Sequence, residues 1–463
     1  MTELRSGSDA LVRQSEQGTI PRATPALRET KKTRANTRVL RILIVTAHFP
    51  PQNSIAAARP ASWARYLSAQ GHEVSVLTAA RSGTLPIAEC YERIEVQPPG
   101  VVLFMHADEL IAKPLRAART WPIDALQCLA ARLLHWLRRD RGVLCSARMP
   151  DHHDPWIPRA LHRIRGRRWD VVLTTHGPYA CHVVGWWLRR RGHAARWAAD
   201  FRDLWADNHI FPGLPPFSWI EPVLERILLH RADALTTVSE GLATRLGARH
   251  SRHVTVIRNG VDLEDIDALD PSPVWPADGL FRVVYTGTIY ASGQDPSPLF
   301  RAIREMLEVG EPHIGRLRLV FAGKFQSDLE RKLAKAGLAG IAELPGFVTR
   351  AQALRMQRDA GALLFLPFVS PVQDGILTGK LFEYLASGTP IISVGTARDP
   401  STANLIEANG RGQDYGADTG EISAALRKLL SEPAGPRSVD RETLARVDRR
   451  AANAKLLALI EGL

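Results

Sequence analysis

The feature that most constrains this chain is an alternation of strands and helices in which the strands are apolar without a break. Ile42, Leu43, Ile44 and Val45 form such a run inside RILIVTAHFPP, residues 41–51. A strand without polar alternation suits a parallel sheet covered on both faces. A loop with paired prolines and Asn53-Ser54 follows, then a helical stretch from about Ala56 to Ala69 that Gly71 stops. HEVSVLTAA (72–80) is the next strand, so the chain opens as β-loop-α-β, the unit of a doubly wound sheet. The pattern recurs in WDVVLTTHGP (169–178), ARWAADFRDLW (195–205), ADALTTVSEGLATRL (232–246) and HVTVIRNGVD (253–262).

After Asp262 the period disappears in an acidic stretch carrying Pro271, Pro273 and Pro276. A second series then begins with the strands FRVVYTGTIY (281–290), RLRLVFAGK (316–324), GALLFLPF (361–368) and PIISVG (390–395), separated by helical stretches. The expected fold class is α/β, two Rossmann-like doubly wound domains. The first spans 38–265, with a basic helical insertion at about 111–168. Residues 266–280 are the linker, 281–435 the second domain, and 436–463 a C-terminal helix free to pack back on the first domain. Residues 1–37 read as a basic disordered arm, too polar for a signal peptide.

A chain of 463 residues supports two such cores. No apolar run reaches the ~20 residues that span a bilayer. The four cysteines, Cys90, Cys128, Cys145 and Cys181, form no C-x-x-C pair, so reduced thiols and a cytoplasmic location are expected. Net charge is +12, concentrated between Ile111 and Arg168, where thirteen Lys/Arg face four Asp/Glu. Such a patch attracts phosphates, anionic lipid or nucleic acid. Nucleic acid is set aside because no helix-turn-helix, zinc-finger or RNA-binding signature accompanies the charge. The first loop has no G-x-G-x-x-G, which argues against a dinucleotide site.

Several segments stand in one order: HFPP, THGPY, DFRDLW, TTVSEGL, IRNGVD, VYTGTIY, PGFV and TGKLFEYLASGTPII. Together, over about residues 40–430, they resemble glycosyltransferase family 4, which has the GT-B fold: two Rossmann-like domains facing each other across a cleft. The resemblance implies a metal-independent enzyme, without cofactor, that moves a sugar from a nucleotide diphosphate to an acceptor, usually with retention. The nearest look-alikes assemble polysaccharides and glycolipids, so a saccharide or lipid-linked acceptor is expected.

Ligands of doubly wound folds lie beyond the carboxyl ends of the strands. In the second domain those ends carry Gly287-Thr288, Lys324, Gly346-Phe347 and the loop Gly375-Ile376-Leu377-Thr378. A diphosphate needs backbone N–H donors, a helix N-terminus and a cation. Lys380, in the first turn after the glycine-bounded loop, opposes the helix dipole and therefore suits a helix end that receives an anion; an ordinary turn lysine is the alternative. Glu383 matches the second glutamate of the family's E-x7-E pair, which implies a contact to the ribose hydroxyls. The first glutamate falls at Gly375 and is missing, with Asp374 one residue out of register. Where the family often has an arginine and a lysine, this chain has Thr288 and Gln294-Asp295; Lys324 is either the substitute cation or an ordinary strand-end lysine. Phe347 matches the turn that meets the base, read as uracil, though a core position is the other reading.

On the acceptor side, His48, Asn53 and Ser54 follow the first strand. His176, Asp200 and Arg202 are the catalytic candidates, with an Arg202–Asp203 or Arg202–Asp207 pair as the structural alternative. No metal is expected: no Asp-x-Asp lies beside a nucleotide-binding strand, and His152-His153-Asp154 reads as a loop. The stretch 114–142 reads as a basic amphipathic helix. Leu126, Leu129, Leu133 and Leu137 share a face, Arg132 and Arg139 lie opposite, and Arg138 and Arg141 flank them. It either packs on the sheet or lies on an anionic membrane at its inner face. Two other functions fit the fold. One is a sugar-nucleotide epimerase or hydrolase, for which paired acids are lacking. The other is a non-catalytic sugar-nucleotide binder, suggested by the incomplete glutamate pair.

Overall fold

The computed structural model describes residues 38–52, 54–83, 85, 87–98, 122–208, 210–289, 293–323, 327–368, 378–432 and 439–463. The expected basic arm, Asn53, Lys324, Asp374, Gly375, Ile376, Leu377 and residues 99–121 lie outside the described residues. Two parallel sheets organise the chain. The first contains β1 (Arg41–Thr46), β2 (Glu73–Ala79), β3 (Glu92–Val96), β4 (Trp169–Thr175), β5 (Ala194–Phe201), β6 (Ala234–Thr237) and β7 (Thr255–Val256), in the order β3-β2-β1-β4-β5-β6-β7. The second contains β8 (Phe281–Thr286), β9 (Leu317–Ala322), β10 (Ala342–Gly346), β11 (Ala362–Phe365), β12 (Ile391–Ser393) and β13 (Gly412–Asp414), in the order β10-β9-β8-β11-β12-β13. Strand order reverses between β1 and β4 in one sheet and between β8 and β11 in the other, which is where doubly wound folds open a crevice.

Helices α1 (Ile55–Ala69), α2 (Pro122–Arg139), α3 (Trp156–Arg163), α4 (Ala180–Arg190), α5 (Phe217–Leu229) and α6 (Glu240–His250) accompany the first sheet, and α7 (Leu263–Asp267) follows it. The second sheet has α8 (Ser297–Glu308), α9 (Ser327–Lys335), α10 (Arg350–Asp359), α11 (Gly379–Ser387), α12 (Pro400–Ala408) and α13 (Thr419–Ser431), with α14 (Arg441–Val447) and α15 (Arg449–Glu461) closing the chain.

Each sheet is sandwiched as its apolar strands require. Leu43 and Val45 join Trp197, Phe201 and Trp205 in one core layer, while Ile42 and Ile44 join Trp63 and Leu67 of α1 in the other. Sequence pattern alone overlooks β3, because ERIEV reads as half charged; its Ile94 and Val96 are nevertheless buried at the sheet edge. It also overlooks α3 and α5. Among the described residues the expected basic helix appears as α2, where Leu129 and Leu133 are exposed rather than packed on the sheet.

The terminal helix α15 lies against α1, and its Leu456, Leu457 and Ile460 belong to the first domain's core layer. A polar contact reinforces this return: Asn453 donates to Ser62 Oγ at 2.7 Å. Val261 N–H donates to Val447 O at 2.9 Å and Arg449 N–H donates to Val261 O at 3.0 Å, tying the chain leaving the first domain to the chain re-entering it. Leu457→Ala is therefore expected to destabilise the first domain by about 2–5 kcal/mol, the range for a core cavity. Urea denaturation checks this, and an unchanged midpoint would detach α15 from that core.

Candidate functional site

At the carboxyl ends of β8, β9 and β10, three glycines meet. Gly287 N–H donates to Ala322 O at 2.7 Å and Gly323 N–H donates to Gly346 O at 2.8 Å. Gly287 has φ 112°, and a Cβ on Gly323 would sit 2.2 Å from the Gly287 carbonyl oxygen, so no side chain is accommodated there. The floor at the strand ends is consequently bare backbone. Lys380 lies directly above it. A Cβ on Gly287 would be 3.0 Å from Lys380 Nζ, and that ammonium sits 3.7 Å from the Tyr285 ring centroid.

Lys380 belongs to the first turn of α11, whose N-cap residue Thr378 makes no side-chain capping bond, so its hydroxyl does not occupy the helix N-terminus. No acid stands in that first turn either. Burial pushes the Lys380 ammonium down to about 7, with Glu383 acting in the opposite direction. A cation held in a poorly solvated site beside a helix N-terminus is poised to gain its full charge when an anion arrives.

Glu383, one turn further, is already engaged. It accepts from Arg350, and Gln357 Nε2 donates to its other oxygen at 3.4 Å. Arg350 also reaches Asp265 of α7 at 3.3 Å, so an Asp265–Arg350–Glu383 chain runs from the interdomain connection to the helix. A carboxylate has about four lone-pair positions and retains acceptor capacity for a hydroxyl. Sequence reading missed Arg350, although its place at the start of a helix right after the Gly346-Phe347 turn was the available signal. Thr288 is exposed, with its carbonyl accepting from Tyr285 Oη at 2.8 Å. Phe347 is 66% exposed, which excludes the core reading. Gln294 is buried and donates to Leu366 O at 2.7 Å, a framework contact.

The first domain presents a different surface. At the end of β1, His48 Nδ1 bonds Gln52 Oε1 at 3.0 Å, and its ring stands edge-on to His153 at 6.3 Å. Burial first, then the nearby Arg202, push its pKa down to about 3, so the imidazole is neutral at physiological pH. At the end of β2, Arg81 reaches Nε2 of His153 at 2.9 Å and of His152 at 3.3 Å. A guanidinium only donates, so both Nε2 atoms are acceptors and His153 Nδ1–H donates to Asp151 at 2.8 Å. Asp151, His152 and His153 are the group of metal-type donors found among the described residues. Arg81 engages the Nε2 atoms of both histidines. Arg81 was missed in the sequence, though it directly follows an apolar strand, as His48 does.

Three residues expected at the site make framework contacts in this domain. Asp200, read as catalytic, is a buried framework acid: Arg59 holds it at 2.7 and 3.2 Å, and Thr175 and Thr236 hydroxyls donate at 3.1 and 2.8 Å. His176, also read as catalytic, is buried with its ring stacked on Phe201 at 5.6 Å, and burial holds its pKa well below the ordinary value. Ser54, placed on the acceptor side, caps α1 by accepting from Ala57 N–H at 3.2 Å. Arg202 forms neither proposed acid pair. It donates to the His176 carbonyl at 2.9 Å, while Asp207 is taken by Arg249. Arg202 thus remains half-buried at the end of β5, with Asp203 beside it in sequence.

The sequence model of Glycosyltransferase Family 4 matches residues 56–265. No curated protein sequence matches the chain. Among solved structures, a sucrose-phosphate synthase from Thermosynechococcus elongatus is similar at 14% identity and TM-score 0.60, with 90% of this chain and 97% of that one covered. The lipopolysaccharide outer core galactosyltransferase WaaB is similar at 14% identity and TM-score 0.52, covering 91% and 99%. Anabaena HepE, in complex with UDP and glucose, is similar at 13% identity and TM-score 0.54, covering 92% and 100%. At these identities the likeness shows the fold, GT-B, in which the two strand-end surfaces face each other across a cleft.

The glycine floor, the α11 N-terminus and Lys380 are suited to one ligand class, a compact phosphate anion. Inorganic pyrophosphate is expected to bind with proton uptake above pH 7, because a bound anion raises the Lys380 pKa above the value of about 7 in the free protein. Affinity then falls as pH rises from about 7 toward the bound-state value and levels off above it. Lys380→Ala is expected to weaken binding by about 1.5–3 kcal/mol. Calorimetry in buffers of different ionisation enthalpy measures both, and an equal proton uptake in wild type and variant would remove Lys380 from the site.

Proposed function

We propose that this chain, whose residues 56–265 match the sequence model of Glycosyltransferase Family 4, is a glycosyltransferase that transfers a sugar from a nucleotide-diphosphate donor to a saccharide or lipid-linked acceptor. The observation that carries the donor reading is Lys380 held over the Gly287–Gly323 floor at the start of α11. The reading of the base as uracil takes support from HepE, which was solved with UDP and glucose. The acceptor reading, in cell-surface polysaccharide or glycolipid assembly, takes support from WaaB, a lipopolysaccharide galactosyltransferase. The exposed Leu129 and Leu133 of α2, with Arg132 and Arg139 exposed on the same helix, favour action at an anionic membrane surface.

In this reading the bond between sugar C1 and the diphosphate oxygen breaks while positive charge grows on the ring and negative charge on the departing phosphate. Lys380 and the α11 amides stabilise the developing phosphate charge. The acceptor hydroxyl oxygen bonds C1 from the leaving-group face, and its proton passes to the departing phosphate, so configuration is retained. No carboxylate nucleophile takes part, in keeping with glycine at 375 and with an Asp200 wholly engaged by Arg59 and two threonines. Glu383 holds the ribose, Arg350 and Gln357 fixing its carboxylate, and Phe347 offers an exposed ring to the base. Arg81, His48 and Arg202 face the acceptor side from the ends of β2, β1 and β5.

Incubation with a panel of nucleotide sugars tests the whole reading: slow donor hydrolysis without acceptor is expected, whereas epimer formation, or binding without turnover, would overturn it. Glu383→Gln is expected to lower affinity for the nucleoside diphosphate while leaving inorganic pyrophosphate binding nearly intact, since the contact is to ribose. Equal loss for both ligands in calorimetry contradicts that assignment. Donor hydrolysis is expected to survive EDTA, because Lys380 and backbone amides meet the phosphate charge; loss on chelation that a divalent metal restores would show a metal-dependent enzyme.

A further inference from the structure

Helix α5 is built the wrong way round for a helix on the surface of a water-soluble domain. Its two acids point inward: Glu221 is 0% exposed and Glu225 1%. Its large apolar side chains point outward: Trp219 is 71% exposed, with Ile220, Val223 and Ile227 about half exposed or more. At 100° per residue, positions 219, 220, 223 and 227 fall within one arc about 100° wide, a continuous apolar stripe. Arg226 lies at its edge, also exposed, and His230 and Arg231 continue the exposed side past the helix end.

This orientation is locked. Glu221 pairs with Arg148 at 2.5 Å and accepts from Met149 N–H at 2.6 Å and from Trp205 Nε1–H at 3.3 Å. Glu225 accepts from Ala206 N–H at 3.0 Å and bonds His250 at 3.0 Å. Rotating the helix to hide its stripe would strand the buried partners of two carboxylates, a cost that opposes the gain from burying the apolar residues. The stripe is also not isolated. Gly213 N–H donates to Arg141 O at 3.1 Å, so the segment entering α5 is tied to the segment that follows α2, a helix whose Leu129, Leu133 and Trp136 are also exposed.

We propose that α5 and α2 together form a docking surface for an anionic lipid bilayer, with Trp219, Ile220, Val223 and Ile227 entering the headgroup–acyl boundary. Charge selects the bilayer over other occupants. Both acids of α5 are turned away from the stripe, while Arg226 borders it and Arg132 and Arg139 are exposed on α2. A second copy docking through the same face would set these cations against their own duplicates. An anionic membrane attracts them and accepts the apolar side chains at once. The inference deepens the lipid-linked acceptor reading and rests on it for its purpose: the surface lies on the first domain, beside the acceptor-side strand ends.

Vesicle sedimentation of the full chain decides it, using phosphatidylglycerol–phosphatidylcholine vesicles against pure phosphatidylcholine at low salt. Wild type is expected to sediment with the anionic vesicles and to stay in solution with the neutral ones. The variant Trp219→Ser, Ile220→Ser, Val223→Ser, Ile227→Ser is expected to lose about tenfold or more in partitioning while still unfolding cooperatively, because these side chains are about half exposed or more and lie outside the core. Donor hydrolysis in lipid-free buffer is measured in parallel and is expected to be unchanged. Wild type that stays in solution with anionic vesicles, or a variant that binds as wild type does, overturns the proposal. So does a wild-type dimer in light scattering that the variant dissociates, which would assign the stripe to a second copy. Failure of donor hydrolysis in both proteins speaks against the transferase reading instead, so the two failures are told apart.

Discussion

Asp200 is a buried charge, and much of the first domain is arranged around satisfying it. Its two oxygens take the Arg59 guanidinium and the hydroxyls of Thr175 and Thr236, which joins α1 to the ends of β4, β5 and β6. Arg59 then donates to the Arg258 carbonyl at 3.2 Å, reaching the segment that follows β7. Removing water from a carboxylate and a guanidinium is costly, and the return comes only with such saturated geometry; breaking one partner of a buried pair typically costs about 3–5 kcal/mol. The strand ends are thereby fixed in relation to one another. His48, Arg81 and Arg202 project from a rigid rim because the acid beneath them is wholly engaged.

The second domain meets the opposite problem. Its strand ends carry no side chains at Gly287 and Gly323, and at Gly323 the backbone approaches so closely that none would fit. Lys380 is pushed down to about 7 because its surroundings solvate it poorly, with Glu383 acting in the opposite direction. Glu383, the carboxylate nearest in sequence, is drawn off by Arg350. One domain thus neutralises its buried charge internally, and the other leaves a cation and a helix N-terminus to be completed by a ligand. That asymmetry is the physical basis for proposing that an anionic donor sits on the second domain.

Inward acids and outward apolar residues on α5 follow from the same economy of burial. Arg148 and His250 lie beneath the helix and need carboxylate partners, and Glu221 and Glu225 supply them. The apolar residues are then placed outside by helical geometry, because they share the remaining arc. A surface that water disfavours persists because buried ion pairs hold it open.

The alternation of unbroken apolar strands with helices determines by itself that this chain forms two doubly wound sheets, since such strands are stable only when covered on both faces. Strand-end residues such as His48, Gly287 and Lys380 were legible for the same reason: parallel topology sends them to one edge. The sequence could not separate residues at a strand end from residues pointing into the core beside it. His176 and Asp200 occupy such positions and are framework, whereas Arg81 and Arg350 lie at the rim and went unread. Pairing partners decide between these fates, and they are distant in the chain: Arg59 and Asp200 are 141 residues apart. The half-charged β3 and the inverted α5 also escaped the pattern, because an edge strand and a helix anchored by buried acids break the rule that apolar faces turn inward. Only the tertiary structure, by setting which charges meet, decided which faces were left open.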